Sequence, residues 1–455
     1  MRSTQAILGQ DFTVKSHLRF AFPRMMMSLF IMSYVVADGA LISYYLGTVA
    51  LASLNMVFPL AGFLSAIGMM LSAGGGSVVS RRLGDQRAHD ADRALSTIVY
   101  ANIVIGIVLA AIGLIFVDNI LLLLNVEQEQ MQYAKDYQVV TLLALPVMLL
   151  SLASQTFFTV AGYPKMGLIV SIASGLTNVV LDILFMGPFK WGMIGAALAT
   201  DISWLVSVIA AFIFFVRPKA PIKLLWIKPE WVAITGAIKS GFAEMVGNLS
   251  HSITLFLFNT MFLRWLGIDG VAALTIASYS TYVFNCMAYG FCEATNPIIA
   301  YNYGAQNWSQ LRKIFLNSLK IIAGFSLCAY GASVIFAKPV LAFFTSPGTA
   351  VYELLINNFW IYATSLLFMC SNMFGAYIFT AFGDGKRASI VSFARTFGFI
   401  VLFIETLPLL IGEIGLWLSV PVAECCTFCL SVWLVWRNRN RYGYSGQPAS
   451  QINRA

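Results

Sequence analysis

The sequence predicts an all-α membrane protein of twelve transmembrane helices, arranged as two six-helix halves. The composition, the number of long apolar segments and a repeat between the two halves of the chain predict this fold. The chain has 455 residues, of which 59% are hydrophobic and 11% are charged, whereas soluble globular proteins carry about 25% charged residues. Because so few charges cannot cover a surface in water, lipid must surround most of the chain.

Twelve apolar segments are long enough to cross the hydrocarbon core of a bilayer as helices. The connections between them are short, as expected for helices that follow one another through a membrane. The longest polar connection lies near 217–235 and divides the chain almost in half. The predicted spans are 22–46, 51–79, 94–117, 134–161, 166–188, 193–216, 236–265, 271–301, 314–337, 354–382, 388–411 and 414–436.

The lysines and arginines predict how these spans are oriented. If the N-terminus is cytoplasmic, most cations lie on the cytoplasmic side, and the opposite side offers only Lys135, Lys190, Arg264 and Lys338. This asymmetry follows the positive-inside rule and predicts a multi-pass protein of the inner (cell) membrane with both termini in the cytoplasm. Because the cations lie between spans, the net charge of +8 does not indicate nucleic-acid binding. The cytoplasmic cations include Arg2, Lys15, Arg19, Arg24, Arg81, Arg82, Arg87, Arg93, Lys165, Arg312, Lys313, Lys386, Arg387, Arg437, Arg439 and Arg441.

The two halves of the chain resemble each other at a constant offset. Leu46-Gly47 recurs as Leu266-Gly267, 220 residues later, and Ile194-Gly195 recurs as Ile414-Gly415 at the same offset. Six spans is an even number, so both halves cross the membrane in the same orientation. We therefore expect two parallel repeats, an N-lobe at 1–220 and a C-lobe at 221–455, with a site between or within them. Further matches are Gly84 and Gln86 with Gly304 and Gln306, also 220 residues apart, and Phe158-Thr159 with Phe379-Thr380, which are 221 apart.

Four polar side chains within apolar spans indicate transport: Asp38, Asn178, Asp182 and Thr200. A carboxylate near the centre of a bilayer costs about 2.5–3.5 kcal/mol on insertion scales, so such residues usually face a protein interior and have a function. Two acids, an amide and a hydroxyl offer the oxygen ligands of a small hard cation such as Na⁺, or hold a shared proton. Two structural alternatives stay open: the acid of Asp38 can be held by buried hydrogen bonds, and the polar stripe can join helices. Gly39 would allow the first helix to bend beside Asp38.

The spacing of these residues predicts which of them share a helix face. Asn178 and Asp182 are four residues apart and therefore lie on one face of the fifth span. Thr200 lies in the sixth span, and Asp201 points about 100° away from it. The sequence does not decide which of Asp182 and Asp201 takes part in the site.

Charged side chains in the second half have less definite roles. Arg395 lies deep in its span and is expected to pair with Glu405 or Glu424, in either a structural or a functional contact. Glu244 lies near the cytoplasmic end of its span, where a long side chain can extend to the membrane surface. A second polar site in the C-lobe, formed by His251, Glu293 and Arg395, is a further hypothesis.

The glycine run Gly74–Gly76 predicts close helix packing or a hinge. A phosphate-binding loop is disfavoured because the Lys-Ser/Thr ending is missing and no strand precedes the run. Nucleotide motifs are absent from the sequence, so transport driven by ATP is not expected. Clustered nucleophile and base residues at helical spacing are also absent, so an intramembrane enzyme such as an acyltransferase is disfavoured, and no cofactor is expected.

Five motifs occur along the chain in a definite order: 36–47 around Asp38, 74–84 at the end of the second span, 178–182 followed by 195–200, 297–305, and 421–424. Each motif alone is weak, but their order and spacing are specific. Together they resemble the multidrug and toxic compound extrusion (MATE) family of transporters, bacterial type. The resemblance covers nearly the full length of the chain.

The resemblance implies two six-helix lobes that alternate between inward- and outward-open V shapes around a central cavity. It implies export of organic cations, driven by inward movement of Na⁺ or H⁺. The ligands of the N-lobe cation site in such transporters fall on Asp38, Tyr137, Asn178, Asp182 and Thr200. Some members use C-lobe acids, including one in the seventh helix, where this chain has His251. That departure favours the N-lobe site.

The expected partners are therefore small-molecule drugs or toxic organic cations, together with membrane lipids, and a monomer is expected. A lipid-linked oligosaccharide flippase of the same superfamily is the alternative. That function requires cations along the central cavity to hold a pyrophosphate, and few cations lie deep in these spans. The sequence does not identify the drug, choose between Na⁺ and H⁺, or assign the roles of Glu244, Glu293, Glu405 and Glu424.

Overall fold

The described part of the chain is built from long helices joined by short connections. The computed structural model describes residues 3–444, without the side chains at positions 3, 6, 251 and 252. Within this part, nine helices are long and apolar enough to cross a membrane, and two bent helix pairs bring the number of spans to eleven. The 74-residue helix Trp231–Gly304 contains non-helical backbone at Gly267 and therefore supplies two spans. The prediction of twelve spans is confirmed.

The helices are numbered here in chain order. A π-helical turn, Ala394–Gly398, joins α15 to α16. The helices are α1 (Ser3–Leu8), α2 (Val14–Leu46), α3 (Thr48–Gly84), α4 (Ala88–Ile115), α5 (Val117–Leu123), α6 (Gln128–Leu143), α7 (Leu145–Val160), α8 (Pro164–Met186), α9 (Gly192–Val216), α10 (Trp231–Gly304), α11 (Trp308–Ile335), α12 (Ala337–Phe344), α13 (Ala350–Ala363), α14 (Leu366–Phe382), α15 (Gly385–Phe393), α16 (Phe399–Ile411) and α17 (Ile414–Asn438).

Two predicted spans, 134–161 and 354–382, are bent in the structure. The helices α6 and α7 meet at 62°, and α13 and α14 meet at 44°. Pro146 is the second residue of α7 and cannot donate a hydrogen bond back into α6, which ends the first helix. At the second bend the hydroxyl groups of Thr364 and Ser365 donate to backbone oxygens one turn earlier, at 2.6 and 2.8 Å. Such side-chain bonds compete with the helical pattern.

The repeat between the halves is also visible in the backbone. Residues with positive φ recur at the offset of 220 that the sequence shows: Gly47 and Gly267 have φ values of 88° and 67°, and Gln86 and Gln306 have 61° and 54°. A positive φ is uncommon for glutamine, so its recurrence at equivalent positions is strong support for a duplicated fold. The predicted pair of six-helix repeats is confirmed.

Both described ends of the chain lie at the same end of the molecule. The hydroxyl of Thr4 donates to the backbone oxygen of Ala161 at 2.8 Å, and the ring of Tyr442 stacks on Phe382 at the end of α14. Arg82 donates two hydrogen bonds of 2.8 Å to Glu230 at the start of α10. These bonds lower the pKa of Glu230 below its usual value. This terminal end is also the cation-rich end that the sequence predicts to be cytoplasmic.

The two halves pack tightly against each other at the terminal end. A side chain at Gly74 would collide with the backbone of Ala237 in the other half, and within the N-lobe one at Gly75 would approach Ile98 to 2.9 Å. The prediction that Gly74–Gly76 packs closely is therefore confirmed. Arg81 completes this closure, because its guanidinium donates to the backbone oxygen of Ala381 at 2.8 Å and to the hydroxyl of Ser240 at 3.2 Å. The lobes are thus joined at the terminal end in this conformation.

Candidate cation-binding site

Two aspartates from different helices meet inside the N-lobe. Asp38 lies on α2 and Asp182 on α8, and their carboxyl groups lie close enough to affect each other's charge. Gly175 makes this possible, because a Cβ there would lie 2.7 Å from the ring of Phe30 on α2. The missing side chain lets α2 and α8 approach closely two turns before Asp182. In this structure α2 runs without a break through Gly39.

The acids of this site lack the partners that usually accompany buried carboxylates. The side chain of Asp182 is fully buried. Neither of its oxygens accepts a hydrogen bond from the described part of the chain, and the same is true of one buried oxygen of Asp38. Two facing carboxylates repel when both are ionised, and only a proton or a cation between them removes the repulsion. The structural alternative, in which buried hydrogen bonds hold the acid of Asp38, receives no support at this oxygen.

Neutral oxygen atoms surround the two carboxyl groups. The amide nitrogen of Asn178 donates to the hydroxyl of Thr200 at 3.3 Å, which leaves the amide oxygen of Asn178 without a donor in the described residues. Tyr137 on α6 lies close to Thr200 and is within electrostatic range of both acids. The structure therefore brings together all five residues proposed from the sequence for the N-lobe.

Asp201 is a further acid beside this group. It is buried on α9, one of its oxygens has no donor in the described residues, and it is within electrostatic range of Tyr137. The sequence left its role undecided because its direction on the helix differs from that of Thr200. The sequence drew attention to Asp201 because acids are rare inside apolar spans.

The donor set suits a monovalent cation or a proton better than a transition metal. Among the described residues, no group of three or more His, Cys, Asp or Glu side chains converges as a metal centre. Asp38 and Asp182 supply two carboxyl groups, and the remaining oxygens come from an amide and two hydroxyl groups. Hard cations prefer such oxygen ligands, and a single positive charge offsets the repulsion between the two acids.

The buried acids of the C-lobe are arranged differently. Oxygen Oε2 of Glu293 on α10 accepts hydrogen bonds from Nε and Nη2 of Arg24 on α2, at 2.8 and 2.5 Å. The two side chains are only 12% and 6% exposed. Arg24 was counted with the cations of the cytoplasmic connections; the structure shows that this arginine is buried and neutralises an acid of the other lobe. A partner 269 positions away leaves no signal in a single sequence.

Arg395 and Glu424 form a second ion pair in the C-lobe. Nε of Arg395 lies 3.0 Å from Glu424, and Asn372 donates to the other carboxylate oxygen at 2.6 Å. This resolves the sequence alternative in favour of Glu424, since Glu405 is exposed. Arg395 lies in the π-helical turn, a type of distortion that is often found at functional sites.

The proposed grouping of His251, Glu293 and Arg395 receives no geometric support. The side chain of His251 lies outside the described residues, and Glu293 and Arg395 each pair with another residue. The expectation for Glu244 was wrong, because this side chain is buried and accepts a hydrogen bond of 3.3 Å from the hydroxyl of Tyr289. Because Glu244 is buried between the helices α10 and α14, its side chain cannot reach the membrane surface.

Comparison with known proteins identifies the family. The MatE family model matches residues 23–184 and 245–404, which is more than half of the chain and covers both repeats. This chain belongs to the MATE family of transporters. The resemblance seen in the sequence is thereby confirmed, and the chain is a multi-pass membrane protein of that family.

Two similar proteins are named as multidrug export proteins. Multidrug export protein MepA of Staphylococcus haemolyticus is 26% identical over 448 residues, which are 97% of each chain. The protein of the same name from Staphylococcus saprophyticus is 24% identical over 436 residues, or 94% of each chain. These MATE relatives therefore align with this chain from end to end.

Solved structures share the fold. An outward-facing multidrug resistance MATE transporter has a TM-score of 0.88 and 22% identity, with 96% of this chain and 98% of that chain covered. A MOP superfamily transporter from Pyrococcus furiosus has a TM-score of 0.89 and 22% identity, with 97% and 98% covered. The latter is described as having a binding pocket of reverse polarity that suggests a different function. At these identities the likeness establishes the two-lobed fold.

Proposed function

We propose that this protein exports organic, mostly cationic compounds by antiport with Na⁺ or H⁺, as its two lobes alternate in access. The relatives that match its whole length are named multidrug export proteins. The observation that carries the proposal is the fully buried carboxylate of Asp182, which faces Asp38 and has no hydrogen-bond donor in the described residues. Two acids without a resident positive charge require a mobile one.

The coupling ion would act through the charge balance of the N-lobe. When Na⁺ or H⁺ binds between Asp38 and Asp182, the repulsion between α2 and α8 disappears and the two helices can repack. Because α2 also carries Arg24, a shift of this helix would be felt at the contact with the C-lobe. An ion and a drug that bind different states in this way are linked by a coupling free energy. We place both termini in the cytoplasm, in the inner membrane, and expect a monomer.

The alternative of an oligosaccharide flippase is less well supported. A pyrophosphate group would require uncompensated cations deep in the spans. The buried Arg24 and the half-buried Arg395 are each paired with a glutamate, so neither offers a free charge to an anion. The arrangement of buried charges therefore supports cation-coupled drug export better than oligosaccharide flipping.

Everted membrane vesicles provide the test. We expect wild-type vesicles to accumulate a fluorescent organic cation when a Na⁺ or a pH gradient is imposed, with the two gradients applied separately. Asp38→Asn should abolish gradient-driven accumulation at equal protein levels, because one acid of the pair is lost. Glu405→Gln is the matched control, since it removes an exposed acid from a span and should leave transport unchanged. Full accumulation by Asp38→Asn would refute the proposed coupling.

A further inference from the structure

A large groove lies at the terminal end of the C-lobe, outside the candidate cation site. It has a volume of about 1160 Å³ and runs between the first part of α10 and the start of α15. The C-terminal segment after α17 closes one side with Arg441 and Tyr442. Neither the family comparison nor the transport proposal gives this groove a role.

Positive charge dominates the part of the groove nearest the terminal end, and most of these cations have no acidic partner. Four cations line it, Lys239, Lys386, Arg387 and Arg441, together with one acid, Asp384. Asp384 is already engaged, because it accepts hydrogen bonds from the side chain of Arg387 and from the hydroxyl of Tyr442. The other three cations have no salt bridge within residues 3–444. An anion from the membrane or the solvent would therefore meet three cations that have no acidic partner.

The local fold holds these charges together. The start of α15 packs directly on α10, since a side chain at Gly385 would collide with the backbone oxygen of Lys239. This contact brings Lys239 next to Lys386. Asp384 caps the start of α15, because its side chain accepts a hydrogen bond from the backbone N–H of Arg387 at 3.2 Å. In addition, the buried hydroxyl oxygen of Ser389 lines the groove and has no hydrogen-bond partner among the described residues.

The part of the groove that lies further from the terminal end is apolar. Phe242 lies on the same face of α10 as Lys239, one turn further from the terminal end, and Val246 follows after another turn. On α15 the large side chains Ile390 and Phe393 are 41% and 46% exposed. Cations at the membrane surface followed by exposed apolar side chains deeper in the span match the profile of a phospholipid, from its head group to its acyl chains.

We propose that this groove binds an anionic phospholipid, with the head-group phosphate among Lys239, Lys386 and Arg441 and the acyl chains along Phe242, Ile390 and Phe393. Basic pockets between transmembrane helices on the cytoplasmic side are suited to anionic lipid head groups. Bound lipid would contact the segments that hold Arg81, because Ser240 and Ala381, the two acceptors of Arg81, are sequence neighbours of groove residues. The lipid would therefore favour the conformation in which the lobes are joined at the terminal end.

Lipid binding to the full chain in nanodiscs tests this proposal. We expect phosphatidylglycerol, compared with phosphatidylcholine, to raise the thermal unfolding temperature of the wild type and to remain bound in native mass spectrometry. Each cation near an anionic lipid contributes about fivefold in affinity, so Lys239→Gln with Lys386→Gln should weaken binding about thirtyfold. The charge-conserving pair Lys239→Arg with Lys386→Arg should keep it, which separates loss of charge from misfolding.

A matched control removes two cations from the same end of the molecule but outside the groove. Lys165→Gln with Arg312→Gln should leave the preference for phosphatidylglycerol unchanged. Equal loss in this control and in the groove variant would overturn the proposal, since the effect would then reflect overall charge. Glycerol phosphate added to phosphatidylcholine nanodiscs should have no effect. If it reproduced the stabilisation, the occupant would be a soluble anion and the lipid proposal would be wrong.

Discussion

The two lobes bury acids in opposite ways. In the N-lobe, Asp38 and Asp182 face each other, and buried carboxylate oxygens of both lack a donor in the described residues. In the C-lobe, Glu293 and Glu424 each bind an arginine, and the buried Glu244 accepts a hydrogen bond from Tyr289. The fold is repeated in the two halves, so the contrast comes from the side chains alone. The C-lobe pairs are neutral as they stand, whereas the N-lobe pair becomes neutral only when it takes up a proton or a cation.

The largest effect is expected where the C-lobe pair joins the lobes. Arg24→Gln leaves Glu293 buried without a counter-charge, which should lower the free energy of unfolding by about 3–5 kcal/mol. The double variant Arg24→Gln with Glu293→Gln should recover most of this loss, because both charges are then gone. Denaturant unfolding of the purified protein measures both. A loss below about 1 kcal/mol in the single variant would show that the pair does not neutralise Glu293.

A smaller loss is expected at the second C-lobe pair. Arg395→Gln removes the cation from Glu424, but Asn372 continues to donate a hydrogen bond to this carboxylate. We therefore expect a destabilisation of about 2–3 kcal/mol, less than for Arg24. Adding Asn372→Ala should increase the loss. Denaturant unfolding measures both variants. Equal stability of Arg395→Gln and the wild type would contradict the proposed role of Arg395 in neutralising Glu424.

The N-lobe should respond with the opposite sign. Asp182→Asn removes a charge that has no partner, so in buffer without Na⁺ and at alkaline pH it should stabilise the protein by about 1–3 kcal/mol. Addition of Na⁺ or protons should stabilise the wild type by mass action and should not stabilise the variant. If Asp182→Asn destabilised the protein as strongly as Arg24→Gln, the two lobes would not differ in the way proposed.

The smallest effect concerns a neutral oxygen of the site. Tyr137→Phe removes one hydroxyl that lies near Thr200 and the two acids, and it should weaken binding of the coupling cation by about twofold to tenfold, the value of a single hydrogen bond. Tyr133→Phe is the matched control, because Tyr133 is exposed on the same helix. Titration of the cation followed by tryptophan fluorescence measures the difference. Identical affinities in the two variants would remove Tyr137 from the site.

The sequence predicted those features that depend on local pattern. Hydropathy gave the twelve spans, and the offset of 220 gave the duplicated fold, since both can be read along one chain. Asp38 and Asp182 stood out because acids are rare in apolar spans. The pairing of Arg24 with Glu293 was not predictable in this way, because it depends on how α2 and α10 pack. The burial of Glu244 was missed for the same reason, and the bend at Thr364 lacks the proline that marks the one at Pro146.

Direct measurement of cation binding to purified protein tests the central claim, which is that the N-lobe acids take up the coupling cation. Calorimetry with Na⁺, and proton uptake measured with an indicator dye, would show which cation binds. The wild type and the stable double variant Arg24→Gln with Glu293→Gln should bind it with similar affinity, and Asp182→Asn should not bind it. Retained binding in Asp182→Asn, together with its loss in the C-lobe double variant, would contradict the account.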